Sequence, residues 1–171
     1  PDGARSGTQG TGQPLRVLII GDSAAAGVGV TQQSEALAGQ LVNILAQRFC
    51  VSWQLHATTG HTLAQVLADL KQLPAQPVDL VLTSFGVNDV TALTPMWRWK
   101  KQLHQLTTYL DQHFGQSQLI LSALPPMQHF PALPQPLRWV LGQRAAHFNR
   151  LLRQHAQQKP RCIYAEIALP F

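Results

Sequence analysis

Apolar and polar positions along this 171-residue chain switch repeatedly between two periods. Residues 15–20 form a mostly branched apolar run that stops at Gly21-Asp22-Ser23 and passes into small residues, the pattern of a buried strand ending in a sharp turn before a helix. Leu37, Leu41, Ile44 and Leu45 then recur at helical spacing within residues 31–49, with Thr31 or Ser34 available as the cap. Residues 51–56 alternate in period two and end at a turn containing Gly60, and Leu63, Val66, Leu67 and Leu70 mark a second helix. Pro74 and Pro77 break that helix; residues 78–85 give a third strand, which ends at Gly86-Val87-Asn88-Asp89. The spacing of Leu103, Leu106, Leu110 and Phe114 predicts a third helix over 94–114, and residues 117–123 predict a fourth strand. Residues 124–136 hold five prolines and Phe130, a long loop of the kind that is usually functional, a lid or a stiff connector. Leu137, Val140, Leu141, Phe148, Leu151 and Leu152 define a fourth long helix, and residues 161–167 a fifth strand.

Strands alternating with helices predict a parallel sheet with right-handed crossovers. The expected fold is a three-layer α/β/α flavodoxin-like domain whose five parallel strands run in the order 2-1-3-4-5. In such sheets ligands bind beyond the carboxyl ends of the strands, which makes Ser23, one step past the first strand, a candidate nucleophile.

Composition narrows the picture. A chain of this length with 45% hydrophobic residues suits one domain, and no apolar block approaches the roughly 20 residues that a membrane helix requires, so a soluble domain is expected. Residues 1–14 offer almost nothing to pack and read as a flexible linker, with the domain proper at 15–171. The chain opens on Pro1, so an extracytoplasmic domain, or one tethered by a segment upstream, is among the expectations. The formal charge is +5, but Lys and Arg are scattered rather than striped, which argues against nucleic acid as a partner. Such a surface tolerates an anionic membrane nearby, although a solvated surface rich in Gln and Arg is the commoner explanation. Cys50 and Cys162 lack metal-ligand spacing and fall on strands expected at opposite edges, so neither a metal nor a disulfide is expected.

Three strand ends converge on one crevice: Gly21-Asp22-Ser23, Gly60, and Gly86-Val87-Asn88-Asp89. A serine hydroxyl needs a base to become a nucleophile, and the oxyanion of acyl transfer needs donors fixed beforehand. The Ser23 and Gly60 amides and the Asn88 side chain could supply three. Gly-Asp-Ser alone arises often by chance, whereas the three blocks in these structural places require independent coincidences.

On these residues the chain, from about Leu15 to its end, resembles the SGNH hydrolase superfamily, also called GDSL-type lipases and acylhydrolases. The resemblance implies that Ser23 is the nucleophile and that Ser23, Gly60 and Asn88 form the oxyanion hole. It further implies that Gly21, Asp22, Gly86 and Asp89 support the turns, Asp89 as a structural residue, and that no metal or organic cofactor is needed. Substrates implied are small esters: lysophospholipids, short acyl esters, acyl thioesters or acetylated sugars. Apolar residues near the crevice favour lipid-like or simple acyl esters, and Met96, Trp97, Trp99 and Phe130 are candidates for an acyl groove.

One departure matters. The family's base comes from a D-x-x-H block after the fifth strand, and residues 165–171 lack it. The expectation is therefore that the 171-residue chain is a poor esterase and that a chain extended past Phe171 is a good one. His61 and His129 are weak substitutes at the carboxyl edge; His104, His113, His147 and His155 fall on helices at positions expected to be solvated, and His56 lies within a strand. Two other readings remain: a non-catalytic acyl- or glycan-binding protein on the same scaffold, and a nucleotide-binding module. Against the latter, Gly21, Gly27 and Gly29 do not fit G-x-G-x-x-G, and no acidic residue ends the second strand.

Overall fold

In the computed structural model, which describes residues 1–166, the chain forms a three-layer α/β/α domain around one six-stranded sheet. Its strands are β1 (Ser6–Gln9), β2 (Gln13–Gly21), β3 (Phe49–Ala57), β4 (Leu80–Ser84), β5 (Gln118–Ser122) and β6 (Cys162–Ala165). The helices are α1 (Ser23–Ala26), α2 (Leu37–Leu45), α3 (Leu63–Leu70), α4 (Val87–Thr91), α5 (Met96–His113) and α6 (Leu137–Gln157). The sheet order is β1-β3-β2-β4-β5-β6, so the expected five parallel strands keep the expected order and a sixth, antiparallel strand is added at one edge.

That sixth strand corrects the reading of residues 1–14 as a flexible linker. β1 pairs with β3 from Ser6↔Gln54 to Gln9↔Val51, the Arg5 guanidinium donates to the Ala57 carbonyl, and Asp2 exchanges backbone hydrogen bonds with Thr31 and Gln33, each 2.8 Å long. All four β1 residues are exposed. The segment is held by its main chain and by polar side chains, Arg5 and Gln9 among them, and a reading based on apolar side chains to pack could not register it.

Helices α3, α5 and α6 cover one sheet face, where Leu63, Leu103, Leu106, Leu110, Phe114 and Phe148 are fully buried. Helices α1 and α2 cover the other, with Ala25, Ala26, Ala38 and Val42 against Val17, Ile19, Val51 and Leu55. The helix expected over 31–49 is shorter than expected and preceded by a 3-10 turn at Gln33–Glu35. It also turns a different face inward: Ala38 and Val42 are buried, while Leu37 and Ile44 are exposed, because small side chains let the helix approach the strands closely. On α6, Leu141, Phe148 and Leu152 are buried as expected, but Leu137 and Val140 in its first turn are at the surface.

Cys50 on β3 and Cys162 on β6 are free and separated by three strands, roughly 19 Å of sheet. The last strand was expected to reach Ile167; that residue and the rest of the tail to Phe171 lie outside the described residues.

Candidate active site

β2 delivers the chain to the carboxyl edge at Gly21, beside the end of β4. A Cβ on Gly21 would fall inside the van der Waals shell of the Ser84 carbonyl oxygen, so only glycine lets these strands close up here. The next residue, Asp22, donates its amide to that same carbonyl at 2.9 Å and caps α1, its Oδ1 accepting from the Ala24 amide at 3.1 Å. Ser23 is therefore the first residue of α1, partly exposed at the rim of the crevice, with the expected strand-turn-helix geometry around it.

The other two blocks meet this turn. Gly60 sits exposed after β3 with φ +85°, a left-handed conformation that favours glycine. Asn88 lies in the first turn of α4, and its Nδ2 donates to the His61 carbonyl at 2.9 Å and, more loosely, to Asp22 Oδ2 at 3.4 Å. One amide thus links the turns after β2, β3 and β4. Of its two N–H groups, one is firmly held and orients the side chain; the other, on the longer contact, is open to competition from a developing oxyanion.

Asp89 points away from the crevice. It is fully buried, with Oδ2 accepting from the Leu63 amide at 2.8 Å and Oδ1 from the Thr94 hydroxyl at 3.0 Å, so it ties α4 to the start of α3. Burial pushes both carboxyls up: that of Asp89 above the usual range, and that of Asp22 to about 6, while the Ala24 and Gly86 amides pull Asp22 the other way.

Beside the turn lies a cavity of about 270 Å³ with apolar walls. Ala24, Phe85, Val87, Leu124, Pro125 and Phe130 line it, with Asp22 and Ser84 as its polar members. The loop expected as a lid or connector is a pinned wall: Asn149 on α6 accepts from the Leu124 amide at 2.7 Å and donates to its carbonyl at 3.0 Å, and Met127 is buried. Of the four residues offered for an acyl groove, Phe130 alone lines this cavity. Trp99 is in the core, stacked on Phe148 with ring centroids 4.3 Å apart, Met96 packs against the same core, and Trp97 is exposed.

The histidines sort differently from expectation. The ring of His61 is turned down α3, with Nδ1 2.8 Å from Asp69 Oδ2 in the last turn; only the His61 carbonyl faces Asn88. His129 is exposed on the 3-10 turn Met127–His129. His155, expected to be solvated, is half-buried against Thr107 Oγ1 at 3.0 Å, and desolvation lowers it to about 4. Among the described residues no cluster of His, Cys, Asp and Glu could hold a metal ion, and no helix is long and apolar enough to cross a membrane. The Asp22–Asn88–His61 link and the Asp69 partner of His61 were not foreseen, and no local pattern signals them.

Comparison with known proteins adds an independent line. A model of the GDSL-like lipase/acylhydrolase family matches residues 19–171. A search of curated protein sequences finds no match. Solved structures with the same fold include an extracellular lipase from Streptomyces rimosus (TM-score 0.67, 17% identity, 89% of this chain and 80% of that one). A mutant of an acetylxylan esterase from Geobacillus stearothermophilus is similar at TM-score 0.66 and 18% identity, over 90% of this chain and 76% of that one. A protein from Streptococcus pneumonia named for platelet activating factor is similar at TM-score 0.67 and 15% identity; 90% of this chain matches 66% of its length, just under two thirds.

Proposed function

The chain belongs to the GDSL-like lipase/acylhydrolase family, a family of ester hydrolases, and from that premise we propose that it is a serine esterase acting through an acyl-enzyme on Ser23. The observation that carries the reading is the Asn88 amide, which fastens the turn after β3 and reaches Asp22 beside Ser23. Ser23 Oγ attacks the ester carbonyl as its proton passes to a solvent water, which later returns it to the leaving alcohol; the carbonyl π electrons move to oxygen. That oxyanion takes hydrogen bonds from the Ser23 amide, the Gly60 amide and Asn88 Nδ2–H, which leaves its 3.4 Å contact with Asp22. Collapse expels the alcohol with a proton and leaves the acyl-serine; water then attacks, and the acid departs as Ser23 recovers its proton.

The apolar cavity beside Asp22 is the seat we assign to the acyl group, which favours lipid-like or simple acyl esters over acetylated sugars. His61 is committed to Asp69 and His129 is not among the residues lining the cavity beside Asp22, so proton removal from Ser23 is assigned to neither substitute histidine.

Fluorophosphonate labelling with hydrolysis of soluble p-nitrophenyl esters tests the reading. Ser23→Ala abolishes labelling, Asn88→Ala costs about 2.7–4 kcal/mol in kcat/KM, and His61→Gln and His129→Gln leave labelling in place. Turnover that survives Ser23→Ala removes the nucleophile. Intact ligand binding without labelling favours the non-catalytic binding protein instead.

A further inference from the structure

The first turns of α5 and α6 present large apolar side chains where the sequence periodicity expects burial or a polar surface. Trp97 is 66% exposed and Trp139 60% exposed, and Leu93, Leu137 and Val140 on the same two segments are exposed as well. These are neighbours in the fold: Arg144, one turn past Val140 on α6, donates to the Thr94 carbonyl at 2.8 Å and to the Val90 carbonyl at 3.4 Å, which ties the start of α6 to the segment leading into α5. Leu93 is also held at φ +56°, a left-handed conformation after a helix that glycine usually supplies, so the backbone carries strain while a leucine is displayed to solvent.

This rim belongs to the same edge as the site. Crossover helices begin at the carboxyl edge, and α4, whose first turn holds Val87 and Asn88, ends at Thr91, two residues before Leu93. Phe130, at the cavity wall, precedes Leu137 by seven residues.

Charge identifies the occupant. Residues 1–89 hold four Lys and Arg against six acids, whereas residues 90–171 hold nine against two, the acids being Asp111 and Glu166. Arg98, Lys100, Lys101 and Arg138 accompany the two tryptophans, and the Arg98 guanidinium lies 5.5 Å from the Trp97 ring centroid. Exposed Trp and Leu among cations, without acids, match the boundary of an anionic lipid bilayer, where indoles settle at headgroup depth and Lys and Arg meet the negative surface. A second copy of this face would bring the same cations against themselves.

We propose that the Leu93–Trp97–Trp139 rim docks on an anionic lipid surface and brings the crevice to ester substrates held there; the delivery to Ser23 rests on the esterase reading, the docking does not. The test is cosedimentation with vesicles of phosphatidylcholine alone and of equal phosphatidylcholine and phosphatidylglycerol. The expected result is partition at least about tenfold stronger onto the mixed vesicles, lost by a similar factor in W97S/W139S and weakened by added salt and in K100Q/K101Q. Thermal melts of the variants and their hydrolysis of soluble esters stay at the wild-type level, since none of these residues lines the cavity. Equal partition onto both vesicles, or partition untouched by W97S/W139S, overturns the proposal. So does sedimentation of the chain as a dimer that W97S/W139S dissolves. If Ser23 fails to label while vesicle partition follows expectation, the esterase reading falls and the docking surface stands.

Discussion

The two faces of the sheet are built to different standards. On one, α3, α5 and α6 lay down a thick layer whose fully buried members include Trp99, Phe114 and Phe148. On the other, α1 and α2 form a thin layer whose buried members are Val, Ile, Leu and Ala only. The thin side carries Ser23, the nucleophile we propose, while Phe85, Leu124 and Phe130 of the thick layer wall the cavity beside it. A four-residue helix bearing Ser23 presses onto the strands only because Gly21, Ala25 and Ala26 are small, and the same close approach buries the Asp22 carboxyl. Large apolar area is thus concentrated on one face and close backbone approach on the other, with a buried acid on each, Asp89 behind and Asp22 in front.

The sharpest test of that division is a matched pair of truncations. Trp99→Ala removes an indole stacked on Phe148 in the thick layer and is expected to cost about 3–5 kcal/mol in urea unfolding. Val42→Ala in the thin layer removes two methyl groups and is expected to cost about 1.5 kcal/mol. Comparable losses at the two positions would mean that the faces contribute alike.

Much of this arrangement was legible in the chain. The apolar runs at 15–20 and 78–85 carry strands that bury side chains on both faces, the period-two stretch at 51–56 carries one that buries Val51 and Leu55 on a single face, and each ends in a block whose glycine marks the turn. β1 was illegible because main-chain pairing and polar side chains such as Gln9, which donates to Asn43 Oδ1, hold it without burying an apolar residue. Leu37 and Ile44 misled because burial on α2 selects for small size, and periodicity weighs leucine above alanine. The roles of Asn88 and His61 were half-legible: the G-x-N-D block is visible, but contacts across 27 and 66 residues depend on how two crossovers stack, which no local pattern encodes.

A second, smaller effect separates the buried acids from a half-buried histidine by pH. Folded Asp22 keeps its proton up to about pH 6, whereas an unfolded aspartate releases it near 3.8. The native state binds more protons between those values, so this carboxyl makes stability fall as pH rises through the window. Asp89 acts in the same direction. His155, between α5 and α6, does the reverse: it stays neutral down to about 4, while an unfolded histidine charges near 6.5, so stability falls as pH drops through that range. Between about pH 4 and 6 the two sites oppose each other. Relative to wild type, Asp22→Asn is therefore expected to gain about 2–3 kcal/mol between pH 4 and pH 8, and His155→Gln to flatten the opposite slope. A difference between Asp22→Asn and wild type that ignores pH would mean that Asp22 is ionised in the fold.

The smallest effect probes where the thin layer ends. Ile163 on β6 pairs with Ile120 on β5, and both face the side that α1 and α2 cover, yet Ile163 is 52% exposed. One strand inward, Leu121 faces the thick layer and is fully buried. Replacing Leu121 by Ala is expected to cost about 2–5 kcal/mol, as core truncations do. Ile163→Thr keeps a β-branched side chain on a strand and removes little buried area, so it is expected to change stability by no more than about 0.5 kcal/mol. Because Ile163 sits at the far edge from α1, a loss of 2 kcal/mol or more would show that something covers this end of the thin face in solution, and the asymmetry between the faces would be smaller than residues 1–166 display.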